Sequence, residues 1–221
     1  SGEMASAEYN NFHLEISGTD VQAKIEQLRF GAFGGKLETT GHYSLEQNSP
    51  RFSLRGRING VDAYRLSHLL ADHGNYPISG SASLEFAANG NMNAPTILGS
   101  EITGSGTLSI KEGAIHHLNL TDTLLSQLNI IPGFTLAPSN NFKNKYPFLF
   151  ASQHTEFDQL AAAFALKNQQ IAITNVRMKT EEVVAHSKGS LDFDGNIDAT
   201  GSLIVSPEVT RQIIRDVSEV R

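Results

Sequence analysis

A chain of 221 residues, 39% of them hydrophobic, is long enough to bury a core, and the slightly low apolar share fits a largely sheet structure with one solvated face. The absence of cysteine excludes disulfides, thiol catalysis and cysteine-ligated metal sites. A net charge of −6, from 17 basic and 23 acidic residues with no basic run, excludes the footprint of a nucleic-acid binder.

The longest apolar run, Leu160 to Leu166, is far short of the ~20 residues that span a bilayer. No signal peptide is visible, and an opening Ser-Gly reads as the start of an excised piece of a longer protein. Residues 1–19 read as a tail and first strand, and 20–131 as an amino-terminal meander with two helices. The period-two runs "QLRFGAFGGKLETTGHYSL", "RFSLRGRING", "SASLEFAANGNMN" and "GTLSIKEGAIHHL" predict strands there. Turns are expected at Gly34-Gly35, Asn59-Gly60, Asn89-Gly90 and Glu112-Gly113, residues that tolerate positive φ. Between the strands, "DAYRLSHLLADHG" predicts a helix capped by Asp62 and ended by Gly74, with Leu66, Leu69 and Leu70 at helical spacing. A second stripe, Leu120, Leu124, Leu128 and Ile131, ends at Pro132.

Residues 132–154, with three prolines and no clean period, predict a long loop or flap bearing Phe142, Tyr146, Phe148 and Phe150. From 155 to 221 the pattern is a carboxy-terminal meander, with "AAFALKNQQIAITNV" turning at Lys167-Asn168 and a further turn at Asp194-Gly195. A terminal helix follows in "SPEVTRQIIRDVSEV", with Ser206 as cap and Pro207 at its first position. The fold class is therefore mainly β, an antiparallel meander forming a curved sheet with about three short amphipathic helices packed on it, in one continuous domain.

The stretch "LDFDGNID" offers Asp192, Asp194 and Asn196 at the first ligand positions of a calcium loop. The sixth position is Ile197 rather than Gly, and the twelfth is Leu203 rather than the Glu that closes the cage. A hairpin accounts for more residues, with a turn at Asp194-Gly195-Asn196, Phe193 opposite Ile197, Leu191 opposite Ala199 and Asp192 opposite Asp198.

Other chemistry is not evident. There is no P-loop, dinucleotide fingerprint or His-Glu-x-x-His run. Adjacent His116 and His117 would point to opposite faces of a strand, and His42, His68, His73, His154 and His186 are scattered. Gly104-Ser105-Gly106 lies between strands without the strand-to-helix setting of a nucleophile elbow. The reading is of a protein that is not an enzyme and needs no cofactor or metal.

Three motifs in order carry a family resemblance over residues 20 to 206. Val61, Asp62, Leu66, Leu69 and Leu70 fit a "vdl-x-x-ll" helix. Ile110, Glu112, Gly113 and Ile115 fit a strand with an "i-x-(D/E)-G-x-i" turn, and Thr155, Phe157 and Leu160 fit a Thr-x-Phe-x-x-Leu opening that leads to Gly189, Leu191, Asp192 and Phe193. The chain thereby resembles the carboxy-terminal region of the AsmA family of bacterial envelope proteins. That resemblance implies a non-catalytic periplasmic domain, held at the inner membrane by segments outside this sequence. It implies a part in outer-membrane assembly and lipid homeostasis, with phospholipid or another envelope lipid and envelope proteins as partners.

In the carboxy-terminal meander, alternation places Phe157, Phe164 and Leu166 on adjoining strands with Ile171, Ile173, Leu191, Phe193, Ile197, Leu203 and Val205. If the sheet curves, they line a wall on which an acyl chain is sheltered at about 0.8 kcal/mol per methylene. A strand of eight residues, roughly 26 Å long, would suffice. The alternative is a structural protein–protein interaction module, its apolar face closed by the helices and no lipid bound.

Overall fold

The computed structural model describes residues 2–4, 7–44, 50–70, 77–91, 101–120, 122–123, 152–180, 183–192, 196–207 and 210–211. Among the described residues, eleven strands form one antiparallel sheet in which spatial order is chain order. They are β1 (Gly2–Met4), β2 (Ala7–Thr19), β3 (Gln22–Ala32), β4 (Gly35–Ser44), β5 (Arg51–Asp62), β6 (Ile78–Asn91), β7 (Thr103–Ile115), β8 (Thr155–Lys167), β9 (Gln170–Lys179), β10 (Val183–Asp192) and β11 (Ile197–Val205). The expected meander is present, and β7 pairs directly with β8, so the sheet runs unbroken across the long connection between its two portions. Most strands exceed the eight residues that would match an acyl chain: β6 has 14 and β7 and β8 have 13 each, the latter about 43 Å at ~3.3 Å per residue.

Two of the expected turns close as tight hairpins, each one residue from the expected pair. Phe33 and Gly34, at φ 52° and 80°, link the register partners Ala32 and Gly35. Asn168 and Gln169, at φ 52° and 61°, link Lys167 and Gln170. Positive φ at both central residues matches the twist of the flanking strands.

Three other expected turns lie inside strands. The β5–β6 register shifts between Ile58 and Val61, with Gly60 at φ 68°, and β6–β7 shifts where Glu112, at φ 50°, and Gly113 face Gly80. A bulge needs positive φ as much as a hairpin does, so a Gly pair marks a bend without saying whether the chain reverses. Asn89-Gly90 is in regular ladder against Ser53 and Phe52.

About three helices were expected; among the described residues there is one, α1 (Ala63–Leu70). Its Asp62 cap is as expected: Asp62 Oδ1 accepts from the Tyr64 N–H at 2.9 Å and the Arg65 N–H at 3.3 Å. Gly74 lies outside the described residues. Of the second stripe only the opening is described, where Asn119 Oδ1 accepts from the Asp122 N–H and Thr155 Oγ1 accepts from the Leu120 N–H, each at 2.8 Å. Of the third, the Thr210 N–H donates to the Ser206 carbonyl at 2.9 Å, and the residues after Arg211 are outside the description. A short helix forms where a cap and a surface to cover coincide, and the 63–70 segment has both. Of the other two segments, 120, 122–123, 207 and 210–211 are helical and most of the remainder lies outside the described residues. Asp62→Ala is expected to lower stability by about 1 kcal/mol, seen as a lower urea midpoint at unchanged slope.

The deepest packing is at the α1 end of the sheet. Val61, Ala63, Ala82, Ile110, Phe157 and Met178 form a buried cluster, with Leu66, Leu120 and Leu160 packed against it.

Candidate functional site

Strand register assembles one apolar face across the sheet. In the carboxy-terminal portion Phe164 stands opposite Ile173, which stands opposite Gly189. Leu166, Ile171, Leu191 and Ile197 form the next row, and Leu160, Met178, Ala185 and Leu203 another. Val205 faces Val183, and Phe157 faces Gly113. The residues expected on one wall occupy one face, apart from Phe193, which lies outside the described residues, and Ile197, placed by backbone register alone. Phe157 joins that face by its packing with Ile110, Met178 and Leu160 rather than by alternation from Phe164, seven residues on.

Their surroundings differ. Phe157 is only 3% exposed and belongs to the buried cluster, so it is core rather than open wall. Phe164, Leu166, Ile171, Ile173 and Leu191 are half-buried, at the end of the face away from α1.

The same face continues through the amino-terminal portion, which the sequence reading did not include in the wall. Phe52, Leu54 and Ile58 of β5 align with Gly90, Ala88 and Leu84 of β6. Beyond them Leu28 of β3 aligns with Leu14 of β2. Period-two alternation was visible in those strands, but only the register joins their faces into one.

Glycines on this face make room for side chains from the next strand. A Cβ on Gly56 would sit 2.6 Å from Thr39 Oγ1 and 2.7 Å from Phe86 Cζ, groups that reach over it from the strands on either side. On Gly106 it would meet Phe164 Cζ at 2.5 Å, and on Gly90 Phe52 Cε1 at 2.7 Å.

The opposite face is polar. Arg29, Glu38, Arg57 and Glu85 occupy successive register positions on β3 to β6, an alternation of sign that favours adjacent strands. A cavity of about 690 Å³ opens over this row, lined by Glu38, Arg55, Arg57 and Glu85 among others. Nearby, the Lys24 ammonium lies 2.6 Å from Glu26, which also accepts a hydrogen bond from the Ser17 hydroxyl. Those two bonds hold the Glu26 carboxyl below its ordinary range.

Beside α1, the histidines are arranged differently from the expectation. β7 ends at Ile115, so His116 and His117 share a turn, with ring centroids 6.5 Å apart. His154, expected to be isolated, lies 5.8 Å from the His116 ring, and His116 Nε2 is 3.0 Å from Ser79 Oγ. Among the described residues no group of three His, Cys, Asp or Glu side chains is placed to hold a metal ion.

The acidic hairpin closes two positions off the expected register. Leu191 pairs with Ile197, and Ser190 rather than Asp192 faces Asp198. An even slip keeps every side chain on its face and removes the like-charge pair. The Asp192 N–H donates to the Asn196 carbonyl at 3.1 Å, while Asp192 Oδ1 accepts from the Asn196 N–H and Oδ2 from Asn196 Nδ2, both at 2.8 Å. Both carboxylate oxygens hold the turn, which is what competes with a cation. Asp192→Ala is expected to destabilise the hairpin by about 1 kcal/mol, and calorimetry on the parent protein is expected to register no stoichiometric calcium site of micromolar affinity.

Comparison of the chain with protein-family models, with curated proteins and with solved structures returned no match.

Proposed function

We propose that the chain is a non-catalytic lipid-handling domain of the AsmA-like kind, which shelters acyl chains on the apolar face of its sheet. The observation that carries this reading is the continuity of that face from β2 to β11, buried at the α1 end, half-buried in the carboxy-terminal strands and exposed on β2. A soluble monomer seldom presents so extended an apolar surface without an occupant. Phe86 and Thr39 converging over Gly56 support a sheet that curls toward this face, because glycines admit curvature where flanking side chains would collide. Each methylene placed against the wall would contribute about 0.8 kcal/mol. The reading carries the periplasm, inner-membrane attachment through other segments, and envelope lipids as partners.

The structural-module reading draws on Phe157, Ile110 and Val61, which are packed as an ordinary core. Native mass spectrometry of the purified chain, with titration of a fluorescent fatty acid, separates the two. Lipid masses on the folded protein and saturable displacement of the probe are expected. A lipid-free spectrum with no saturable probe binding would leave the structural module.

A further inference from the structure

A second cavity, of about 800 Å³, opens beside α1, where the β3–β4 turn meets the bulges at Gly60 and Gly80 and the residues that follow β7. Its size is that of a small-molecule site, ~300–1,000 Å³. Most of the left-handed residues among those described line it: Phe33, Gly34, Gly60, Gly80, Glu112 and His117. The others are Asn11, Asn168, Gln169 and Asn175, mainly asparagine, which tolerates that conformation. Phe33 and Glu112 do not, and each is held there at a cost that glycine would avoid. Strain of this kind collects where a side chain serves a site. The glycines serve it differently. A Cβ on Gly34 would have nothing within 4 Å, and one on Gly60 only Ser81 Oγ at 4.0 Å, so bare backbone borders the open space.

We infer that this cavity binds a neutral sugar. Its lining carries both signs of charge, with the Lys111 ammonium beside the Asp62 and Glu112 carboxylates. A phosphate would meet two carboxylates and a cationic ligand would meet Lys111, so neither ion is matched. A hydroxyl both donates and accepts. A polyhydroxylated ring therefore satisfies carboxylate, ammonium and imidazole alike while bringing no net charge. The other half of the match is apolar. A pyranose presents C–H groups on its faces, and the cavity offers the rings of Phe33 and of Tyr64, which is 43% exposed. The Tyr64 ring meets His116 edge to face with centroids 6.0 Å apart, and His116 Nε2 lies 3.0 Å from Ser79 Oγ. Platform and polar rim are thus positioned before a ligand arrives, which lowers the ordering cost of binding.

The test is saturation-transfer NMR on the whole chain, with glucose, galactose, N-acetylglucosamine and maltose titrated singly as probes. At least one is expected to bind saturably, and neither inorganic phosphate nor tetramethylammonium is expected to displace it. Glu112→Gly is expected to weaken that sugar at least tenfold, through loss of a hydrogen bond to a charged group. Its urea midpoint is expected to hold or rise, because the left-handed position is relieved. Tyr64→Ala, which removes a half-exposed platform, is expected to weaken the sugar by a similar factor. No saturable probe, displacement by phosphate or tetramethylammonium, unchanged sugar binding in either variant, or a Glu112→Gly chain that loses stability along with binding each overturns the inference.

Discussion

Phe157→Ala is expected to lower stability by about 3–5 kcal/mol, a large part of the total for a domain. The ring is 3% exposed and reaches over Gly113, where an added Cβ would lie 2.6 Å from its Cζ. It is packed among Val61, Ala82, Ile110 and Met178, which come from four other strands. No neighbour can collapse into the space without moving a strand, so most of the cavity persists and its cost adds to the lost transfer energy. Urea unfolding followed by circular dichroism would register the change as a shift of midpoint. A shift corresponding to less than 1 kcal/mol would mean that the α1 end is no better packed than the rest of the face.

Phe164→Asp is expected to abolish binding of the fluorescent fatty acid while the chain stays folded. Phe164 is on the same strand and face as Phe157 but is half-buried, so a carboxylate there can keep contact with water. Against an acyl chain the same carboxylate would lose that contact, and the penalty falls on the complex. Leu191→Glu, on the neighbouring row beside Ile171, is expected to act alike. If either variant unfolds outright, that position is closed core and the structural-module reading gains. If both fold and bind the probe as before, the lipid reading loses this wall.

Much of the architecture was legible because alternation has only two phases. Once Phe164, Leu166, Ile171 and Ile173 were read as strand, their common face followed. Register was less legible. The hairpin at Asp192 slipped by an even step because the sequence could not show that Asn196 occupies the aspartate's carboxylate. Gly60 and Gly113 were read as reversals because the same backbone freedom serves a turn and a bulge. The extent of the apolar face was missed for a different reason. Leu54 and Leu166 come into one surface only through the chain of partners from β5 to β8, Leu54–Ala88–Gly104–Leu166. That relation lies in no single stretch of sequence.

A sheet whose spatial order is its chain order is mechanically a one-dimensional array. Each interior strand is held by its two sequence neighbours, so stability approximates a sum of adjacent couplings, as in solenoid proteins. Most pairings close short loops and form with little entropic delay, and the exception is β7 with β8, which must bridge the connection from Ile115 to Thr155. That seam is where assembly would pause, leaving two half-built ribbons whose open edges invite each other or a stranger. The same topology lets the molecule be lengthened or shortened one hairpin at a time, scaling the span of its apolar surface without redesign of what remains.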